Sequence, residues 1–277
     1  MSKSVVATKE MVEDIFDGAA GQYDCAGPDI FRRFGARLVE RMVIAPGAHV
    51  LDIGTGKGAV LIPAAQRVGS AGNVIGIDLS GSMLAEVERA GRAAGLANFQ
   101  THKMDAERLD FPDASFDVVT CAFSLFFFPA MDAALREMCR VLKPGGRLGI
   151  SLWGREPFGI GWKILAEQFG AYDAIIRMPQ RVAYSPETVE ALLAASGFID
   201  IETWSEITDV VYASADEWWD FQLTLGSRAA IYRLDEETRA KFKTEYSQKM
   251  RPFFQADGLH LSAPVVYAVA SSWHGQR

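Results

Sequence analysis

The sequence predicts an α/β fold, a doubly wound and mainly parallel sheet with helices on both faces. Three observations carry this. Short apolar, β-branched runs alternate with helical stretches through five strands between residues 49 and 153, the pattern of parallel strands joined by crossover helices. The first run ends in an acid and three glycines at alternate positions, "LDIGTGKGAV" at 51–60, a strand-to-helix turn whose backbone can approach a nucleotide closely. Past Trp153 the rhythm gives way to helix and loop, so the later helices are expected to form a lid on one sheet.

Residues 1–20 have weak helical character, and 29–42 carry Ile30, Phe31, Phe34, Leu38, Val39 and Met42 at the spacing of one helical face. "HVLDIG" (49–54) reads as a buried strand, followed after the glycines by a helix to about Val68, and "NVIGID" (73–78) as a second strand. Ser80 suits the N-cap of a helix running to about Ala94, with Met83, Leu84, Val87, Ala90 and Ala94 inward. "NFQTHK" (98–103) is a third, short strand, and "SFDVVTCAF" (115–123) suits a central strand covered on both faces. Met131, Ala134, Leu135, Met138, Val141 and Leu142 mark the next helix, which Pro144-Gly145-Gly146 is expected to terminate before the strand "RLGISLW" (147–153).

"SPETVEALLAASGF" (185–198) reads as a helix with proline in its first turn and glycine after its end. A strand is expected over 200–210, helix over 214–256, and a last strand over 262–273. That makes seven strands.

A chain of 277 residues with 49% hydrophobic side chains can bury a large core, and its length suits one α/β domain with an elaboration. A net charge of −7 argues against a general attraction to nucleic acid or anionic lipid. No stretch reaches the roughly 18 apolar residues of a membrane span, and the first residues lack a signal-peptide core, so a cytoplasmic protein with a small-molecule partner is expected. Cys25, Cys121 and Cys139 are scattered and form no CxxC, which points away from a disulfide framework or zinc knuckle. No HxxxH or carboxylate cluster suggests a metal, so none is expected.

Gly54-x-Gly56-x-x-Ala59 fits a relaxed dinucleotide fingerprint, and Asp78 ends the second strand, where a carboxylate can bind ribose hydroxyls. The turn alone therefore leaves a nicotinamide dinucleotide and S-adenosylmethionine both open. Its surroundings are more specific. Asp52-x-Gly54-x-Gly56-x-Gly58 resembles the first motif of the class I S-adenosylmethionine-dependent methyltransferases. "GIDLSGSML" (76–84), "KMDAERLDFPDASFDVV" (103–119) and "EMCRVLKPGGRLGI" (137–150) resemble their later motifs. Together with "IFDGAAGQYD" (15–24), the order is similar to the branch containing the ubiquinone and menaquinone C-methyltransferases, over roughly residues 10–153.

The resemblance implies a Rossmann-like seven-stranded sheet with helical lid elements, and S-adenosylmethionine as cofactor. It divides one domain into N-terminal helices (1–45), a cofactor-binding core (46–153), and lid helices with the last two strands (154–277). It puts Gly54, Thr55 and Gly56 around the methionine half of the cofactor and Asp78 on its ribose, with Gly58 also among the cofactor-binding residues. Leu79 and Met83 would pack on the adenine, Asp105 would accept from the exocyclic amine beside Ala106, and Phe123 would close the pocket. Tyr23 either joins this set or packs its helix against the sheet.

Where this branch often has a polar residue after strand four, the chain has "SLFFFP" (124–129). Phe126 and Phe127, with Trp153, are expected at the acceptor, although three consecutive rings cannot all face one way. The acceptor site is expected under Tyr23, Phe126 to Phe128, Trp153 to Trp162, Trp218, Trp219 and Phe221, a surface suited to a flat, hydrophobic small molecule. Taken singly, Trp218 and Trp219 read better as core.

Methyl transfer is an in-line displacement served mainly by alignment and exclusion of water, and no catalytic base is assigned. His49 and His102 lie at sheet positions, leaving His260 and His274 as distant candidates. The strand-four end lacks the Asn/Asp-Pro-Pro-aromatic tetrapeptide of nucleobase and glutamine methyltransferases. The function read from the sequence is methyl transfer to a specialised metabolite or quinone-like ring. The alternatives are a nicotinamide-dependent oxidoreductase, for which no Tyr-x-x-x-Lys pair stands, and a protein of this fold that rearranges or senses a small molecule without methylating it. The apolar content of the lid also allows a homodimer.

Overall fold

The computed structural model describes residues 5–25, 27–177, 179–180 and 183–273. Helix α1 (Lys9–Ala19) starts where the Thr8 hydroxyl accepts from the Met11 amide. Helix α2 (Ile30–Arg41) buries Ile30, Phe31, Phe34 and Leu38 on one face, as their spacing requires.

Strands β1 (His49–Ile53), β2 (Asn73–Asp78), β3 (Phe99–Lys103), β4 (Phe116–Ala122) and β5 (Leu142–Trp153) follow. Helices α3 (Leu61–Val68), α4 (Gly81–Ala93) and α5 (Met131–Val141) connect them. The chain continues through α6 (Gly159–Ala171), α7 (Pro186–Ala195), β6 (Ile199–Tyr212), α8 (Ala215–Gln222), α9 (Ser227–Tyr232), α10 (Glu236–Met250) and β7 (Gly258–Ser271).

The sheet runs β3-β2-β1-β4-β5-β7-β6, and a two-residue strand at Phe254–Gln255 is appended to β7. The first five strands are parallel to their neighbours, and β7 is antiparallel to both β5 and β6. Because parallel crossovers are right-handed, stepping one way to β2 and β3 and the other way to β5 puts α3 and α4 on one face and α5 on the other. The order reverses between β1 and β4, which opens a crevice at their carboxyl ends. The loops carrying Gly54, Asp78, Asp105 and Phe123 all leave the sheet on this edge.

The seven expected strands are all present, with three differences in detail. The Pro144-Gly145-Gly146 turn does not separate helix from strand. Helix α5 ends at Val141, and β5 begins at once with residues 143–146 bulged opposite Asp117, the left-handed Gly145 (φ +76°) permitting the bulge. Strands β6 and β7 are longer than expected because they pair with one another along most of their length. The stretch 214–256 is three helices rather than one, and it ends in a 3₁₀ turn (Arg251–Phe253) and the short strand. His274 lies outside the described residues.

Candidate active site

A cavity of about 500 Å³ lies along the carboxyl ends of β1 to β4, roofed by α1, the loop after it and the start of α2. Gly54, Gly56 and Gly58 adopt φ of +64°, +51° and +85°, which explains glycine at each. Their further reasons differ. A Cβ on Gly54 would come within 2.2 Å of Ser124 Oγ, and one on Gly58 within 2.4 Å of Val87 Cγ2, so these two are needed for close packing. A Cβ on Gly56 would meet no protein atom within 4 Å. The turn is open there, where a ligand can lie against the backbone.

Asp78 ends β2 inside the cavity. Its Oδ2 accepts from the Gly56 amide at 2.9 Å and its Oδ1 from the Ser80 amide at 2.9 Å. A carboxylate has about four acceptor positions, so two remain for a vicinal diol. Burial pushes the Asp78 carboxyl above its ordinary value, and the backbone amides oppose that shift. Ser80 also caps α4, its hydroxyl accepting from the Met83 amide at 3.0 Å, which fixes Leu79 and Met83 on the cavity wall.

Asp52 is a cavity carboxylate that the sequence marks only as part of the motif. Its Oδ2 accepts from the Thr55 hydroxyl and its Oδ1 from the Thr120 hydroxyl, both at 2.7 Å, tying β1 to its own turn and to β4. Burial lifts its carboxyl to about 6, against the pull of the two hydroxyls. Thr120 carries no sequence signal of this role, because it sits within an apolar strand.

Asp105 and Ala106 line the far end, after β3. Asp105 is not open to a ligand on all sides. The Lys9 ammonium lies 2.7 Å from its Oδ2 and also reaches Glu107, while the Glu107 amide donates to Oδ1 at 3.0 Å. Helix α1 is fixed here through further polar contacts. Asp17 accepts from the Ser80 hydroxyl at 2.5 Å and the Ser82 amide at 3.0 Å, and Glu13 pairs with Lys103 at 2.5 Å. Lys9, Glu13 and Asp17 share one face at i, i+4 and i+8, a signal that sequence reasoning passed over.

At the other end Tyr23 stacks on Phe31 (centroids 5.2 Å apart), and Phe31 meets Phe123 edge-on at 5.5 Å. Tyr23 thus lines the cavity and also braces the helices. Its carbonyl accepts from Lys57 Nζ at 2.8 Å. Phe123 is held at φ +52°, a left-handed backbone that costs a bulky residue roughly 1–2 kcal/mol. Phe34 and Trp153 hold its ring in place, the latter at 4.5 Å.

All eleven residues expected to bind cofactor therefore line one cavity, as does Phe127. Phe126 and Trp153 do not. Residues 125–127 form a 3₁₀ turn, whose steps of about 120° turn consecutive rings to different sides. Phe126 accordingly points into the core, while Phe127 and Phe128 face the cavity. Trp153 is buried among Phe31, Phe34, Phe123, Phe158 and Trp162. Trp218 and Phe221 continue this packing against Phe158 and Tyr212. Among the described residues no histidine lines the cavity, and His260 lies between Asp209 and Asp257 on the surface.

Residues 50–146 match the family model described as a methyltransferase domain. The chain is 29% identical over 270 residues to nocamycin O-methyltransferase of Saccharothrix syringae, covering 91% of this chain and 95% of that enzyme. It is 37% identical over 189 residues to the ubiquinone/menaquinone biosynthesis C-methyltransferase UbiE of Pseudoalteromonas translucida, covering 66% and 74%. Among solved structures, the YcgJ protein of Bacillus subtilis shares the fold with a TM-score of 0.61 at 20% identity, over 88% of this chain and all of that one. The choice that the glycine turn left open is thereby made for the sulfonium cofactor. The chain belongs to the class I S-adenosylmethionine-dependent methyltransferases, in the branch of the ubiquinone and menaquinone C-methyltransferases.

Proposed function

We propose that the acceptor of the methyl group is a flat, hydrophobic ring system and that it enters beside Tyr23, Phe31, Phe127 and Phe128. The observation that carries this is the division of the cavity. Asp78 and Asp105 stand over β2 and β3, while the rings gather on the side of β4 and α2, where Asp24, Asp29 and Arg32 also line the wall. Aromatic walls favour flat, apolar rings, and the carboxylates beside them suit a ring that carries a polar substituent. The names of two relatives agree with a small-molecule acceptor, one methylated on oxygen and one on carbon.

In this reading the cofactor adenine lies against Leu79, Met83 and Ala106, with Asp105 at its edge. Its ribose hydroxyls take the two free acceptor positions of Asp78, and its methionine half passes over the open side of Gly56. Thr55 and Gly58 hold the turn in shape, and Phe123 with Tyr23 closes the methyl-bearing side. When bound, S-adenosylmethionine supplies an electrophilic methyl group on a sulfonium. The protein's contribution is alignment of the two reactants and exclusion of water by the surrounding rings.

The test is incubation with methyl-labelled S-adenosylmethionine and a panel of hydroxyanthraquinones, anthraquinone carboxylic acids and naphthohydroquinones. Label is expected in at least one ring compound. Transfer confined to polar amines, or to none of the rings, would remove the proposed acceptor class.

A further inference from the structure

Five carboxylates line the cavity: Asp24, Asp29, Asp52, Asp78 and Asp105. Four are held by donors. Two threonine hydroxyls hold Asp52, two backbone amides hold Asp78, Lys9 with an amide holds Asp105, and the Arg32 guanidinium holds Asp29. Asp24 is different. Its Oδ2 accepts one long bond from the Arg32 amide at 3.3 Å and its carboxyl lies against that of Asp29, while no donor among the described residues reaches the buried Oδ1. Asp24 is thus the cavity carboxylate least supplied with donors, and a carboxylate that few donors stabilise is the more basic one.

The position of Asp24 is as informative as its bonding. A Cβ on Gly27 would come within 2.6 Å of the Tyr212 ring, so the loop after α1 packs on the end of β6. In the strand order this is the side of the sheet opposite β3 and Asp105. The Tyr212 hydroxyl there is also buried without a partner among the described residues. Asp24 adjoins Tyr23 at the ring-lined end of the cavity, the end opposite Asp105.

We propose that Asp24 is the general base of the reaction and that the acceptor presents a phenolic or enolic hydroxyl to its carboxylate. This rests on the ring acceptor proposed above. Asp24 takes the hydroxyl proton as an oxygen lone pair forms the new O–CH3 bond. The C–S bond breaks with its electron pair remaining on sulfur, which gives S-adenosylhomocysteine. Asp24 then returns the proton to water. Burial and the adjacent Asp29 carboxylate lift Asp24 to about 6, so it is ionised at neutral pH yet close enough to that pH to be an effective base. The charged and titratable groups facing it are Asp29 and Arg32 on the same segment, Tyr23 beside it and Tyr212 across from it.

The experiment compares wild type with Asp24→Asn and Asp24→Glu on two probes, 1,2-dihydroxyanthraquinone and anthraquinone-2-carboxylic acid, with S-adenosylmethionine as donor. The second probe ionises unaided and needs no base. Wild type is expected to methylate the hydroxyl probe, with kcat/KM falling as pH drops below about 6. Asp24→Asn is expected to lower that kcat/KM by about 10²- to 10⁴-fold and to lose the acid limb, with S-adenosylhomocysteine affinity within twofold of wild type. Asp24→Glu is expected to restore part of the rate and the limb. Turnover of the hydroxyl probe by Asp24→Asn at the wild-type rate, or with the limb unchanged, would overturn the assignment. Methylation of the carboxylic acid alone would overturn it while leaving the ring acceptor standing, and methylation of neither probe would remove both.

Discussion

The Gly56 amide donates to Asp78 Oδ2 over 2.9 Å, so the turn after β1 and the acid at the end of β2 form one unit. Asp78 therefore shapes the turn, and in the proposed binding mode its remaining lone pairs take the ribose hydroxyls. Replacing it with alanine is expected to weaken S-adenosylhomocysteine binding by about 1.5 to 3 kcal/mol, the usual cost of losing hydrogen bonds to a charged group. Calorimetric titration checks this, and unchanged affinity would remove the ribose assignment.

Gly56 and Gly35 separate ligand room from packing. Gly56→Ala places a methyl into open cavity space at φ +51° and is expected to cost tenfold or more in cofactor affinity, with roughly 1–2 kcal/mol of stability. Gly35→Ala drives its Cβ to 2.4 Å from the Ala59 carbonyl oxygen. It is expected to lower the melting temperature, because backbone cannot swing aside as a side-chain end can. Thermal melts and titrations of the two variants should show opposite orders of damage.

Trp153 is core. Truncation to alanine is expected to cost about 3–5 kcal/mol in a denaturant titration, as for other large buried aromatics. Cofactor affinity should change little in the variant that still folds. A stable Trp153→Ala protein with impaired acceptor turnover would instead restore the substrate role read from the sequence.

Asp52 supplies a pH signature. Its carboxyl is raised to about 6 in the folded protein, against about 3.9 in an unfolded chain. Below about pH 4 it is protonated in both states and carries no penalty. As pH rises through 6 the folded state must ionise a buried group, so stability is lost, on the order of 2 to 3 kcal/mol. Asp52→Asn removes this component. The wild-type and variant stabilities, measured by urea titration, should therefore diverge between pH 4 and 7, and parallel curves would contradict it.

The parts of the fold that follow local rules were readable in the sequence. Alternation of apolar runs located the seven long strands but not the two-residue strands Val5–Val6, Ile176–Arg177 and Phe254–Gln255, and Ser80 caps the helix it was expected to cap. That the residues assigned to the cofactor share one cavity was readable because they sit on short loops at fixed offsets from strands. Lys9 was not, since its partners Asp105 and Glu107 lie about a hundred residues away and only tertiary docking of α1 brings them together. Phe126 and Phe127 look alike in sequence, and a single 3₁₀ turn assigns them to core and cavity. The strand boundary at Leu142 was displaced because a proline-glycine turn can be absorbed as a bulge when a neighbouring strand pairs across it.

The most direct measurement is calorimetric titration of the purified wild-type protein, first freed of bound ligand, with S-adenosylhomocysteine and separately with NADH. Micromolar binding of S-adenosylhomocysteine, lost on Asp78→Ala, with no heat from NADH, is the expected result. Binding of NADH in place of S-adenosylhomocysteine would contradict the sulfonium site at its centre.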